Sequence, residues 1–255
     1  MSKDISSILK GWEYVPDELR VRKIEGSDGV SMVQIRMDLG LMQLEWTGRP
    51  DAARPHGFSS LLDYYLDKHE NWGDQDGAFT LSREDCWDLA QEAMQYYWRR
   101  ISFFHLKEYE RAEEDAEHNL AILDLCQAFA ECEEDQQIAR QYRVFVKAHR
   151  TQARALALLE DKDYDGALSQ IREGIQEIEE LLKHQSSFES IDESQELRFL
   201  RKWENEVESA RPLTLKEQLK ADLQAAVEQD KFELAASLRD RLRILGANTT
   251  KRHDL

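Results

Sequence analysis

The chain has 255 residues, 33% charged and 41% hydrophobic, with only 4 Pro and 11 Gly; this suits a soluble, helix-rich protein with one large domain or two smaller ones. Its formal charge of −17 opposes broad contact with nucleic acid, because a protein must bring cations to displace the counterions of phosphate. No run approaches the ~18 apolar residues of a membrane span, and Met1 to Lys10 lacks the basic and apolar regions of a secretion signal, so the expected compartment is the cytoplasm.

Residues 1–18 read as a short helical or irregular lead-in ending near Pro16. Leu19 to Ile24 is a strand candidate, followed by the turn Gly26-Ser27-Asp28-Gly29. Val33, Ile35, Met37 and Leu39 alternate as in a half-buried strand, and beyond Gly40 the apolar series Met42, Leu44, Trp46 is out of phase by one residue. Either Gly40 is a bulge in one long strand or Asp38 to Leu41 is a tight turn between two; both give a small antiparallel sheet. The polar loop that follows carries Arg49, Arg54 and His56. It could meet a small anion, or it could be a connector whose arginines cap nearby helix ends; the second reading is preferred. Phe58 to Glu70 reads as an amphipathic helix. Asp74-x-Asp76-Gly77 lacks the further ligands and closing Glu of a calcium loop, and reads as a solvated turn.

From Ser82 onward the pattern is helical. Ser82 and Asp85 have the spacing of a capping box, and an aromatic-rich helix follows with Trp87, Tyr96, Tyr97, Trp98, Phe103 and Phe104, expected in the core. One device then recurs: Glu108-Tyr109-x-x-Ala112, Asp163-Tyr164-x-x-Ala167 and Lys231-Phe232-x-x-Ala235. In each, a ring is expected to fill the space beneath a turn while the alanine lets two antiparallel helices approach. The first two resemble the second helix of a tetratricopeptide repeat without its strict period, which implies a tetratricopeptide-like array. Cys86, Cys126 and Cys132 have no Cys-x-x-Cys spacing and are expected to be reduced thiols.

Charge is segregated within this array. Leu106 to Asp135 holds 11 acids against Lys107 and Arg111, whereas Arg140, Arg143, Lys147, Arg150 and Arg154 recur at steps of three and four with no acid from Gln136 to Leu159. The five cations share one side of a helix. They would serve a phosphate or RNA in a nucleic-acid-associated repair factor, the alternative reading. The preferred reading turns them toward the preceding acidic helix, since consecutive helices usually pack side by side. Glu189 to Ala210 is a further polar helix, and Arg211-Pro212 marks a junction.

Leu213 to Leu245 is the most specific stretch. Leu215, Leu219, Leu223 and Val227 recur every four residues, Thr214 and Glu217 have capping-box spacing, the turn falls at Glu228 to Lys231, and Gly246 is the expected stop. On the second helix the apolar residues span an arc of roughly 200°, about twice what one packing surface needs, with Arg239 inside it. The run Phe232-Glu233-x-Ala235-Ala236-x-Leu238-Arg239-Asp240-x-Leu242-x-x-Leu245, preceded by Leu219, Leu223 and Ala226, closely resembles the UVR motif. That motif is shared by the UvrB and UvrC subunits of bacterial nucleotide excision repair, by Clp-type chaperones and by McsA-type regulators. The resemblance implies an antiparallel hairpin that pairs with another such hairpin or a partner protein, and implies no catalysis. McsA-type regulators carry zinc-binding cysteine pairs that this chain lacks. Gly48 to Tyr65 also resembles the N-terminal segment of bacterial UVR-motif proteins, to which no role is attached.

The expected fold is mainly α: a small N-terminal antiparallel β element (1–80), a tetratricopeptide-like domain (81–211), a UVR hairpin (212–246) and a disordered tail (247–255). No phosphate-binding loop, nucleophile elbow or His-Glu-x-x-His helix occurs, and the seven histidines have no ligand spacing. No catalytic residue, metal or cofactor is expected. The expected function is non-catalytic docking through Leu219, Leu223, Phe232, Ala235, Leu238, Arg239, Leu242 and Leu245. The partner would be another UVR-motif protein, a Clp-type chaperone or a second copy of the chain.

Overall fold

A computed structural model describes residues 4–73, 77–184 and 194–250, with side chains except those of 184 and 245–250. The proposed calcium-like spacing at 74–76 lies outside the described residues. Two compact units are present, 1–205 and 206–255. The second holds nine acids and nine bases, so the first carries the whole charge of −17.

The first unit opens with the short helix α1 (Ser6–Leu9) and the strands β1 (Val21–Glu25), β2 (Ser31–Met37) and β3 (Gly40–Glu45), which form an antiparallel sheet in that order. Met37 pairs with Gly40 across a two-residue turn, so the phase change is a turn and not a bulge, and Leu39 stands exposed at its tip. Val33 and Ile35, two apart on β2, point to one face with Leu44 and Trp46. That face packs on Phe103, Ala112 and Ala153 of three different helices, with Trp46 edge-on to Phe103 at 5.1 Å. The sheet therefore shares a core with the helices that follow.

The helices are α2 (Leu61–Glu70), α3 (Arg83–Leu106), α4 (Tyr109–Phe129), α5 (Glu133–Glu160), α6 (Tyr164–His184) and α7 (Gln195–Ala210). Ser82 and Asp85 close the expected capping box at the start of α3. From α3 to α6 each helix packs against the next in sequence. Val144 and Ala148 of α5, Ile178 and Leu182 of α6 and Leu197 and Leu200 of α7 make a shared core. The first five residues expected in the last helix, 189–193, lie outside the described residues. The three cysteines are free, with Cys86 and Cys126 buried.

One aromatic expectation fails. Tyr96 and Phe103 are buried, but Trp87 is 64% exposed. The inward side of α3 is set by Cys86, Leu89, Tyr96, Arg100 and Phe103, and at about 100° per residue Trp87 falls on the opposite side.

The second unit contains α8 (Leu215–Glu228) and α9 (Phe232–Thr250). Gly246 does not stop α9, which continues four residues beyond it. A helical glycine costs only about 1 kcal/mol relative to alanine, and no proline follows it in the sequence. Residues 247–250 of the expected disordered tail are thus helical, and 251–255 lie outside the described residues. Among the described residues no helix is long and apolar enough to cross a membrane.

Candidate docking hairpin

The hairpin begins with a closed capping box. The Glu217 amide donates to Thr214 Oγ1 (3.2 Å), and Glu217 Oε2 accepts from the Thr214 amide (2.8 Å), satisfying two groups of the first turn. Arg211 Nη2 donates to Glu217 Oε1 at 2.7 Å. The Arg211 hydrogen bond, helped by the Thr214 amide and hydroxyl, holds the Glu217 carboxyl down at about 2. A carboxyl depressed on folding stabilises above its unfolded range, and the effect fades as pH falls toward 2.

Asp230 makes the turn in the left-handed region (φ 57°). Its amide bonds to Val227 O, and the Lys231 amide reaches back to Ala226 O at 2.8 Å, so two carbonyls at the end of α8 are satisfied. The two earlier occurrences of the device are built alike. Lys107 and Lys162 are left-handed (φ 61° each), and the amides of Glu108 and Asp163 reach Phe103 O and Leu158 O at 2.9 Å. Ala112, Ala167 and Ala235 are all buried.

The seam consists of Leu219 and Ala226 from α8 against Ala235 and Leu238 from α9, flanked by partly buried Leu223 and Leu242. On α9 these three positions occupy only about 60°. Five of the eight residues expected at a partner surface therefore hold the hairpin together instead. Arg239 lies outside the narrow seam, its side chain 71% exposed with Asp240 at 3.9 Å. Leu245 lies outside the residues whose side chains are described. Phe232 does face outward, 68% exposed, and the structure adds Leu215, Val227, Leu234 and Ile244 to the exposed apolar groups. Leu234 and Phe232 stand on opposite shoulders of the seam, each about 70–90° from its centre.

The cation stripe on α5 meets anions of its own chain. Arg143 pairs with Asp124; Lys147 pairs with Glu177 (2.5 Å); Arg150 reaches Glu117 (3.2 Å) and Glu177 (2.6 Å); Arg154 reaches Glu113 (2.6 Å) and Glu117 (2.9 Å). Arg140 hydrogen-bonds Gln136 at 3.3 Å. The acids come from α6 as well as α4. Arg49 and Arg54 are not brought together: Arg54 is exposed, while Arg49 turns inward to Asp51 (3.0 Å) and Glu92 (3.4 Å).

Sequence reasoning missed the polar interior of the first unit. Glu92 is fully buried and accepts from the Leu61 (2.7 Å) and Leu62 (3.2 Å) amides, capping α2 from across the fold, with His118 Nε2 at 3.0 Å. Arg99 and Asp115 form a buried two-pronged pair at 3.0 and 2.6 Å, and Arg99 also donates to the Glu45 and Gly48 carbonyls. The signal was available, since Glu92 and Arg99 fall in phase with Leu89, Tyr96 and Phe103.

A comparison with curated proteins and with solved structures returned no match. A family model described as UVR, the UvrB/uvrC motif, matches residues 214–246. The match opens on the capping threonine and takes in both arms of the seam, so the hairpin built by α8 and α9 is a UVR motif.

Proposed function

We propose that the protein is a non-catalytic docking protein, and that the hairpin engages another protein through the shoulders carrying Phe232 and Leu234. The observation that carries this reading is Phe232. The same turn device leaves Tyr109 and Tyr164 half-buried but exposes Phe232, an aromatic of the kind that anchors interfaces. The hairpin's neutrality adds support, because a desolvated apolar contact needs no net charge. The internal pairing of the α5 stripe weighs against nucleic acid as the partner. In keeping with the UVR resemblance, the partner classes are a UVR-bearing repair subunit, a Clp-type chaperone and a second copy of the chain.

Leu238→Asp is a poor test, because Leu238 is buried in the seam and the change would unfold the hairpin itself. Phe232→Ser combined with Leu234→Ser spares the seam. Affinity capture with the intact chain should retain a UVR-bearing or Clp-type protein, or the untagged chain, that the double variant loses while its circular dichroism is unchanged. Equal recovery by both proteins would defeat the proposal.

A further inference from the structure

Arg100 lies in the interior of the first unit with none of its surface exposed. On α3 it stands four residues after Tyr96 and four before Phe104, and at about 100° per residue it projects between the two. Tyr96 stacks on His118 of α4 with ring centroids 3.7 Å apart, and Phe104 meets His149 of α5 at 5.7 Å. The guanidinium is therefore aimed between α4 and α5. Its carbon is 5.5 Å from the centroid of the Tyr97 ring, which also meets His149 at 6.5 Å.

The protein does not complete this group. Arg100 Nε and Nη1 are buried, and among the described residues no atom accepts a hydrogen bond from either. Asp115 is close enough for its charge to act on Arg100, but both its oxygens are engaged by the fork of Arg99, Oδ2 by Nε at 3.0 Å and Oδ1 by Nη2 at 2.6 Å. Arg99 and Asp115 cancel one another, and the charge of Arg100 is left over. Burial pulls its guanidinium down only to about 10, so it stays protonated at neutral pH. His149 Nδ1 is buried without a partner too. An interior charge is costly unless an opposite charge and hydrogen-bond acceptors meet it.

We propose that the interior between α3, α4 and α5 binds one small monovalent inorganic anion of the chloride class, held by Arg100 Nε and Nη1. One negative charge balances the one left over, whereas a phosphate dianion would leave an excess. The complete enclosure of Arg100 leaves no opening for a nucleotide or for the carboxylate of a peptide. A water molecule would accept from the same donors but would offset no charge. The site belongs to the first unit and does not depend on the docking reading.

The test uses the intact chain and Arg100→Met, which keeps a long side chain and removes the charge. Both are melted as sodium chloride replaces sodium gluconate at constant ionic strength, gluconate being too large for the interior. A ligand bound by the folded state alone raises the melting temperature with its concentration. The intact chain should therefore melt higher in chloride, and Arg100→Met should not share the rise. Equal rises would place the chloride effect elsewhere, and no rise in the intact chain would mean that water or the protein itself satisfies the guanidinium; either overturns the proposal. Should Arg100→Met fail to fold, crystals of the intact chain grown in sodium bromide decide. An anomalous bromide peak within hydrogen-bond reach of Arg100 Nε or Nη1 is expected, and its absence there overturns the proposal.

Discussion

The turns at Lys162 and Asp230 share one backbone and differ in what surrounds them. Each has a left-handed residue, a reach-back amide, an aromatic at the first helical position and a buried alanine three residues later. In the first unit the helices joined by the turn sit among further helices, and Tyr164 is half-buried. In the second unit two helices share one seam, and Phe232 is exposed. Local sequence therefore determines the turn, while burial of its ring depends on a third packing element, which the described residues of the hairpin's own unit do not supply.

The same difference governs charge, and the largest expected effect lies there. Arg99→Ala leaves Asp115 buried without its partner and should cost about 3–5 kcal/mol in denaturant unfolding of the first unit. Arg239→Ala, at an exposed position, should stay within about 0.5 kcal/mol for the second. Comparable losses in both would erase the distinction.

Acid should separate the units next. His149 is pushed down to about 4 by burial, aided by the adjacent Arg100 charge. An unfolded histidine titrates near 6.5, so between these values the unfolded state binds the proton better and stability falls as pH falls. The histidine should contribute a loss on the order of 3 kcal/mol by pH 4. His149→Phe should remove that component from a pH series of unfolding free energies, and an unchanged slope would refute the assignment. Within the hairpin, Glu217 is depressed by surface contacts to Arg211 and Thr214 and holds its charge through this window.

Smaller effects sharpen the ring comparison. Tyr164→Ala should cost about 1–3 kcal/mol, whereas Phe232→Ala in the isolated chain should cost less than about 0.5 kcal/mol, both read from thermal unfolding. At the left-handed positions glycine relieves the Cβ clash in both turns. Lys162→Gly and Asp230→Gly should each stabilise by up to about 1 kcal/mol. A gain at only one site would mean that the two turns are not equivalent.

What the sequence made legible was short-range. The capping boxes at Ser82 and Thr214, the hairpin turn and the small sheet all rest on spacings of a few residues, and each is present. The stripe from Arg143 to Arg154 was read through its packing neighbours, and it meets α6 as well as the expected α4. Periodicity showed that α9 has an apolar arc too wide for one surface, but it could not say which part the seam would take. Leu238 and Phe232 lie on the same arc; only the packing of α8 makes one interior and the other exterior. Trp87 illustrates the converse, an aromatic whose type suggested core while its phase opposed it. Glu92 was missed because the amides it caps lie about thirty residues away, on α2.

The central claim is that Phe232 is left uncovered by its own hairpin so that another protein can cover it. A photoreactive p-benzoylphenylalanine placed at 232, and in a separate protein at 164, tests this directly after irradiation in cell extract. The account predicts adducts to another protein, or to a second copy of the chain, from position 232 and only internal crosslinks from position 164. Internal crosslinks alone from both positions would contradict it.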